Sequence, residues 1–240
     1  MEKKMKNILK ITGLFTLIIF VLSACAPKAD IFIQQSGDAV ITLDIKTGAT
    51  VDMLLENTAQ FTDAEKAESS SIFKTEEIKK ALEDKGIKVL SMSTESIVGI
   101  NAKIKIMSKD MNNDNAFVKT DIKAGLLYLS IGPENIKEFV NMLSEDDREY
   151  IDLLMAPAIT GENLSAAEYE DLIKQGYGEK LAKELKKSKF NISLTCPRKI
   201  NSITIKPFGS VSKNGNKGTV DIPLSELLCV HEPIFIEVKF

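Results

Sequence analysis

From Val98 to Ile106 the chain alternates with period two: Val98, Ile100, Ala102, Ile104 and Ile106 are apolar, while Gly99, Asn101, Lys103 and Lys105 fall between them. Successive side chains of a strand point to opposite faces, so this segment predicts a strand with one face buried and one wet. Ala39, Ile41, Leu43 and Ile45 repeat the pattern, and Ser36-Gly37-Asp38 before them supplies turn residues, so residues 31–35 and 39–45 predict a hairpin. Further strands are expected over 87–93, 116–121, 126–131, 190–196, 201–206, 218–222 and 233–240. Asn214-Gly215, within this last group, is the strongest hairpin-turn signal in the chain.

Helical spacing appears in two blocks. In the first, Val51, Leu54, Leu55 and Thr58 suit one helix. Ile78, Ala81 and Leu82 form the buried stripe of a second, with Thr75 as its expected cap, Glu76 and Glu77 in its first turn and Gly86 as its stop. The second block covers about 133–188. Ile136, Phe139, Val140 and Leu143 share a stripe, as do Ile151, Leu154 and Met155 up to Pro157. Ser165-Ala166-Ala167-Glu168 has the form of a capping box, and Leu181 and Leu185 mark a last helix after Gly178. A meandering, mainly antiparallel sheet with helices grouped in two blocks predicts an α+β fold: one domain over 31–240, the block at 133–188 having the character of a small helical insertion.

The N-terminus breaks with this pattern. Lys3, Lys4 and Lys6 precede an apolar run, Ile11 to Leu22, interrupted only by Thr12, Gly13 and Thr16. Roughly twelve helical residues reach about 18 Å, short of the ~30 Å hydrocarbon core, so a cleaved export signal fits better than a permanent span. Leu22-Ser23-Ala24-Cys25 closes the run and resembles the lipobox of bacterial lipoproteins. The resemblance implies that residues 1–24 are a signal peptide recognised at Leu22, Ser23 and Ala24, and that Cys25 carries the diacylglyceryl group. It further implies that residues 25–30 are a short lipidated tether, and that the domain sits in the bacterial cell envelope, facing the periplasm or the exterior. The alternative is an ordinary secretory signal with an incidental cysteine.

Composition narrows the function classes. Residues 1–24 hold four of the 31 Lys and Arg residues and one of the 34 Asp and Glu residues, so the remainder is mildly acidic and a nucleic-acid partner is not expected. Tryptophan is absent and aromatics make up 6% of the chain, which disfavours a stacking platform for sugars or bases. Cys196 shares strand parity with Phe190, Ile192 and Leu194 and points inward. Buried free thiols are the first reading of Cys196 and Cys229, with a disulfide between them as the alternative in an oxidising compartment.

Chemistry-bearing patterns are sparse. Asp110, Asn112 and Asp114 fall at positions one, three and five of a calcium-loop spacing, with Asp121 at position twelve. Position six is Asn115 where that loop needs glycine, position twelve lacks the bidentate glutamate, and both flanks read as strands, so a polar hairpin loop is the better reading. His231 is the only histidine, and no motif for a hydrolase nucleophile, zinc, phosphate loop or dinucleotide is present, so neither enzyme activity nor a cofactor or metal is expected. Glu145, Asp146 and Asp147 suit the first turn of a helix for electrostatic reasons. Phe139, Met142, Leu143, Leu153, Leu154 and Met155 suit core packing, and alternatively the lining of an apolar pocket.

The order of an early hairpin, helices, a central sheet and a strand running into Cys196-Pro197, with a final segment Ile234-Phe235-Ile236-Glu237-Val238, resembles bacterial lipoproteins with an LppM-type domain. That resemblance implies an α+β envelope domain associated with lipid binding. The expected function is therefore a membrane-anchored, non-enzymatic envelope lipoprotein that binds a partner protein or an apolar ligand. A lipid- or solute-binding receptor with a defined pocket, and an exported hydrolase, are the alternatives.

Overall fold

The computed structural model describes residues 27–45, 74–96, 99–111, 117–140 and 156–240. The fold is α+β, with strands divided between two sheets. The larger sheet is built around β1 (Lys28–Ile33), which pairs antiparallel with β2 (Ala39–Ile45) and parallel with β7 (Lys189–Thr195). Beyond β2 lie β4 (Gly99–Ile106) and β3 (Lys88–Ser96); beyond β7 lie β10 (Lys217–Pro223) and the edge strand β9 (Ser210–Asn214). The smaller sheet runs β5 (Val118–Asp121), β6 (Leu126–Ile131), β11 (Ile234–Lys239) and β8 (Ser202–Lys206) in spatial order.

Alternation decides which face of each strand is buried. Ala29, Ile31 and Ile33 of β1 lie in register with Leu43, Ile41 and Ala39 of β2, and all six are buried. Ile192, Leu194, Val220 and Ile222 extend the same apolar face across β7 and β10. The smaller sheet turns Leu127, Leu129, Ile131, Ile234, Ile236 and Val238 into the same hydrophobic core. Gly218 of β10 marks a close approach of the two sheets, because a side chain there would run into Ile203 of β8.

Helices close the remaining sides: α1 (Thr75–Glu83), α2 (Ser108–Met111), α3 (Pro133–Val140), α4 (Pro157–Thr160), α5 (Ala166–Tyr177), α6 (Glu179–Lys187) and α7 (Leu224–Leu228). The capping box forms as expected: Ser165 Oγ accepts from the Glu168 N–H at 3.3 Å, and the Glu168 carboxylate accepts from the Ser165 N–H at 2.8 Å. Thr75 does not cap α1; it is the first helical residue, and Lys74 occupies the cap position without a side-chain bond. The chain leaves α1 through Gly86 at φ 81°, with Ile87 N–H donating to the Leu82 carbonyl at 3.1 Å.

Several expectations shift. β1 begins at Lys28 instead of residue 31, because Ala29 is fully buried between Leu43 and Ile192, so Lys28, Ala29 and Asp30 are strand residues. Asn214-Gly215 does make a hairpin, but its first arm is β9, while β8 leaves for the other sheet. The helices expected around Val51 to Thr58 and Ile151 to Met155 lie outside the described residues.

Gly125 allows the smaller sheet to close on the C-terminal residue. At φ 71° it receives the Phe240 N–H on its carbonyl at 2.8 Å, and a Cβ there would collide with the Phe240 carbonyl oxygen. Arg198 completes the corner, its guanidinium 5.3 Å from the Phe240 ring centroid and donating to the Ile122 carbonyl at 2.6 Å. Gly125→Ala is expected to cost about 2–4 kcal/mol from strain and a backbone clash together. Gly86→Ala meets no neighbour within 4 Å and is expected to cost only about 1 kcal/mol. Urea unfolding of the two variants side by side measures the difference.

Candidate functional site

Leu22, Ser23, Ala24 and Cys25 lie outside the described residues, so the geometry starts where the chain joins the sheet. At that point the Asn191 N–H of β7 donates to the Pro27 carbonyl at 3.0 Å, and Lys28 opens β1 in register with Asp44 on one side and Asn191 on the other. α6 stops at the same end of the sheet, two residues before β7 begins. Its last turn carries Lys186 and Lys187, where positive charge complements the helix dipole. Ser188 then ties the helix end to its surroundings: its Oγ donates to the Glu184 carbonyl at 2.8 Å, and its own carbonyl accepts from the Leu224 N–H at 3.0 Å.

These elements enclose an open cleft of about 610 Å³, lined by Lys28, Glu184, Lys187, Ser188, Lys189, Asn191 and Asp221. Its charges are layered. Lys28, Lys187 and Lys189 are exposed, whereas Glu184, Asn191 and Asp221 are half-buried. Asn191 Nδ2 donates to Asp221 Oδ1 at 2.6 Å, and Lys186 is drawn aside to Glu170 at 3.0 Å. The cleft thus has a cationic rim above a polar floor. Lys187 and Lys189 are close in sequence at the helix end; Lys28, some 160 residues away, joins them through the parallel β1–β7 pairing.

A second hollow, about 480 Å³, is lined by Ser36, Ser108, Thr120, Asp121, Ile122 and Lys123. Its walls are held by the β1–β2 turn. Asp38 pairs with Lys105 at 2.8 Å and accepts the Ser108 N–H at 3.0 Å, interactions that hold its carboxyl below the ordinary value of 3.8, the Lys105 hydrogen bond contributing most. The buried Thr120 hydroxyl donates to the Gly37 carbonyl at 3.1 Å.

Of the calcium-loop residues, Asp110 sits in α2, so a helical turn precedes the loop where a strand was expected. Asp121 ends β5, and its carboxylate accepts the Ala124 N–H at 2.9 Å, which closes the turn into β6. Asn112, Asp114 and Asn115 lie outside the described residues, as do Glu145, Asp146, Asp147, Met142, Leu143, Leu153, Leu154 and Met155; of Phe139 only the backbone is described. Among the described residues, no three His, Cys, Asp or Glu side chains gather as a metal site. His231 is exposed, with Nε2 3.2 Å from the Leu164 carbonyl oxygen.

Cys196 and Cys229 are buried free thiols, so the disulfide alternative is not formed in this structure. Cys196 follows β7, and its N–H donates to the Asn216 carbonyl at 2.9 Å; Cys229 ends α7. Burial pushes the Cys196 thiol up to about 11. Burial, with smaller contributions from the negative charges of Glu226, Glu170 and Glu168, pushes Cys229 up to about 12. Both thiols are therefore protonated and poorly nucleophilic at neutral pH.

The buried Tyr169 hydroxyl is also raised, chiefly by desolvation. For all three groups the folded state favours the protonated form. Their contribution is therefore complete below the unfolded values near 9 and 10, and is lost as pH rises through the raised folded values. Melting temperature is expected to fall steadily from pH 9 to pH 11. Native protein at pH 7.5 should alkylate slowly at Cys196 and Cys229 and rapidly in denaturant, which a mass-resolved time course reads directly.

Among the described residues, no helix is long and apolar enough to cross a membrane. Comparison with protein-family models and with curated proteins finds no match to this chain.

Proposed function

We propose that this protein is a lipid-anchored, non-enzymatic bacterial envelope lipoprotein, processed before Cys25 and modified on the Cys25 thiol, whose folded domain is a binding module held at the membrane surface. The observation that carries this reading is Leu22-Ser23-Ala24-Cys25 at the end of a basic-then-apolar N-terminus. The first described strand follows it closely in the chain. Lys28, three residues after Cys25, already belongs to a strand flanked on both sides within the sheet. A lipid on Cys25 would act on the domain almost directly, through Ala26 and Pro27 alone.

The binding-module reading draws on the wet face of the smaller sheet. Phe235 is 58% exposed and Tyr128 38% exposed, and they sit diagonally on adjacent strands. Large apolar side chains paired on an open sheet face suit a protein contact better than a solvated surface. The deciding experiment for the anchor is metabolic labelling with a fatty-acid analogue, followed by mass analysis of the N-terminal peptide. A label on Cys25 with residues 1–24 removed is the expected result; a peptide that starts elsewhere or carries no lipid overturns the reading.

A further inference from the structure

We infer that the rim formed by Lys28, Lys187 and Lys189 docks onto anionic phospholipid headgroups of the bilayer that holds the protein; this rests on the lipid anchor proposed above. The argument is one of reach and charge. Lys28 is the third residue after Cys25, so the covalent path between them spans at most about 11 Å, comparable to the distance over which salt screens a charge. A domain held that closely presents to the headgroup layer the end of the larger sheet at which β1 starts.

At that end α6 stops and β7 begins, which places Lys187 and Lys189 beside Lys28 around one cleft. Their ammonium groups are the exposed layer. The carboxylates of Glu184 and Asp221 are half-buried beneath them, with Asp221 engaged by Asn191. At the cleft a surface approaching from outside meets the lysines before Glu184 and Asp221, and each lysine tip offers several donors to a phosphate group.

The opposite end of the same sheet supplies an internal reference. Lys217 of β10 lies in register with Thr195 of β7, whereas Pro223 lies in register with Lys189, so the two ends are six residues apart, about 20 Å. Lys213 and Lys217 on the β9–β10 hairpin are exposed and lie at that opposite end of the sheet.

The test uses the full lipidated protein, reconstituted either in phosphatidylcholine vesicles or in vesicles with about one-third phosphatidylglycerol, a content that sets a strongly negative surface potential. Lysines are acetylated with a brief pulse of reagent and quantified residue by residue. Lys28, Lys187 and Lys189 are expected to label about fivefold more slowly on the anionic vesicles, with Lys213 and Lys217 unchanged and the difference erased by high salt. Equal labelling of the rim on both vesicle types, or equal slowing at Lys213 and Lys217, overturns the docking. The N-terminal peptide is weighed in the same digest. A lipidated Cys25 with composition-independent rim labelling rejects the headgroup contact and leaves the anchor standing, whereas an unlipidated Cys25 rejects the anchor and the docking that rests on it.

Discussion

Cys25→Ser is expected to abolish fatty-acid incorporation completely. The thiol is the only group at that position able to form the thioether, and serine presents a far weaker nucleophile to the same lipid donor. Buried acyl chain contributes about 0.8 kcal/mol per methylene, so two chains of roughly sixteen carbons supply on the order of 25 kcal/mol of membrane affinity. No contact made by a mildly acidic domain replaces that. In the resemblance to lipoproteins, cleavage follows lipidation, so the variant should also keep residues 1–24, and its apolar run Ile11 to Leu22 then retains some membrane association. The clean readouts are therefore the lipid label and the N-terminal mass. When an ordinary cleavable secretory signal replaces residues 1–24 ahead of Cys25→Ser, the domain should appear in the soluble fraction. Continued lipid labelling of Cys25→Ser would sink the assignment.

Phe190→Ala carries the largest expected cost to the fold itself. Phe190 is fully buried and stands opposite Ile222 in β7, the strand that joins the β1 side of the sheet to the β10 side. Removing the ring leaves a cavity at that junction, where the strand is fixed by hydrogen bonds on both edges and cannot collapse inward. The expected loss is about 3–5 kcal/mol, a large part of the ~5–15 kcal/mol that holds a typical domain together. Phe190→Leu keeps most of the volume and should cost about 1 kcal/mol. Equilibrium urea unfolding separates the two, and similar midpoints for both variants would show that the site relaxes far more than its packing suggests.

The elements that sequence reading located best are those whose side chains alternate between core and water. Ala39–Ile45 and Leu126–Ile131 are observed with the expected bounds, because an antiparallel strand with one wet face writes its period into the chain. Ser210–Asn214 escaped for the opposite reason. All five of its residues are exposed, so burial leaves no pattern, and the strand exists through the ladder to β10 and the Asn214-Gly215 turn. Leu224–Leu228 escaped because five residues give too little of the helical period to distinguish a helix from an apolar loop. Within the candidate site, Lys187 and Lys189 are neighbours in the sequence, but nothing local ties them to Lys28.

By itself, then, the sequence determined the α+β class, the buried faces of most strands, the capping box at Ser165 and the lipobox resemblance that the anchor proposal rests on. The strand faces, the capping box and the lipobox depend on neighbours within a few residues, where covalent geometry fixes which side chains share a face, and the class follows from the order of such elements along the chain. Only the tertiary structure decided how the strands divide between two sheets, that β1 runs parallel to β7, and that three lysines from distant segments rim one cleft. Backbone hydrogen bonds are chemically the same for every strand, so partner choice is left to the packing of the whole core, which no local window of sequence contains.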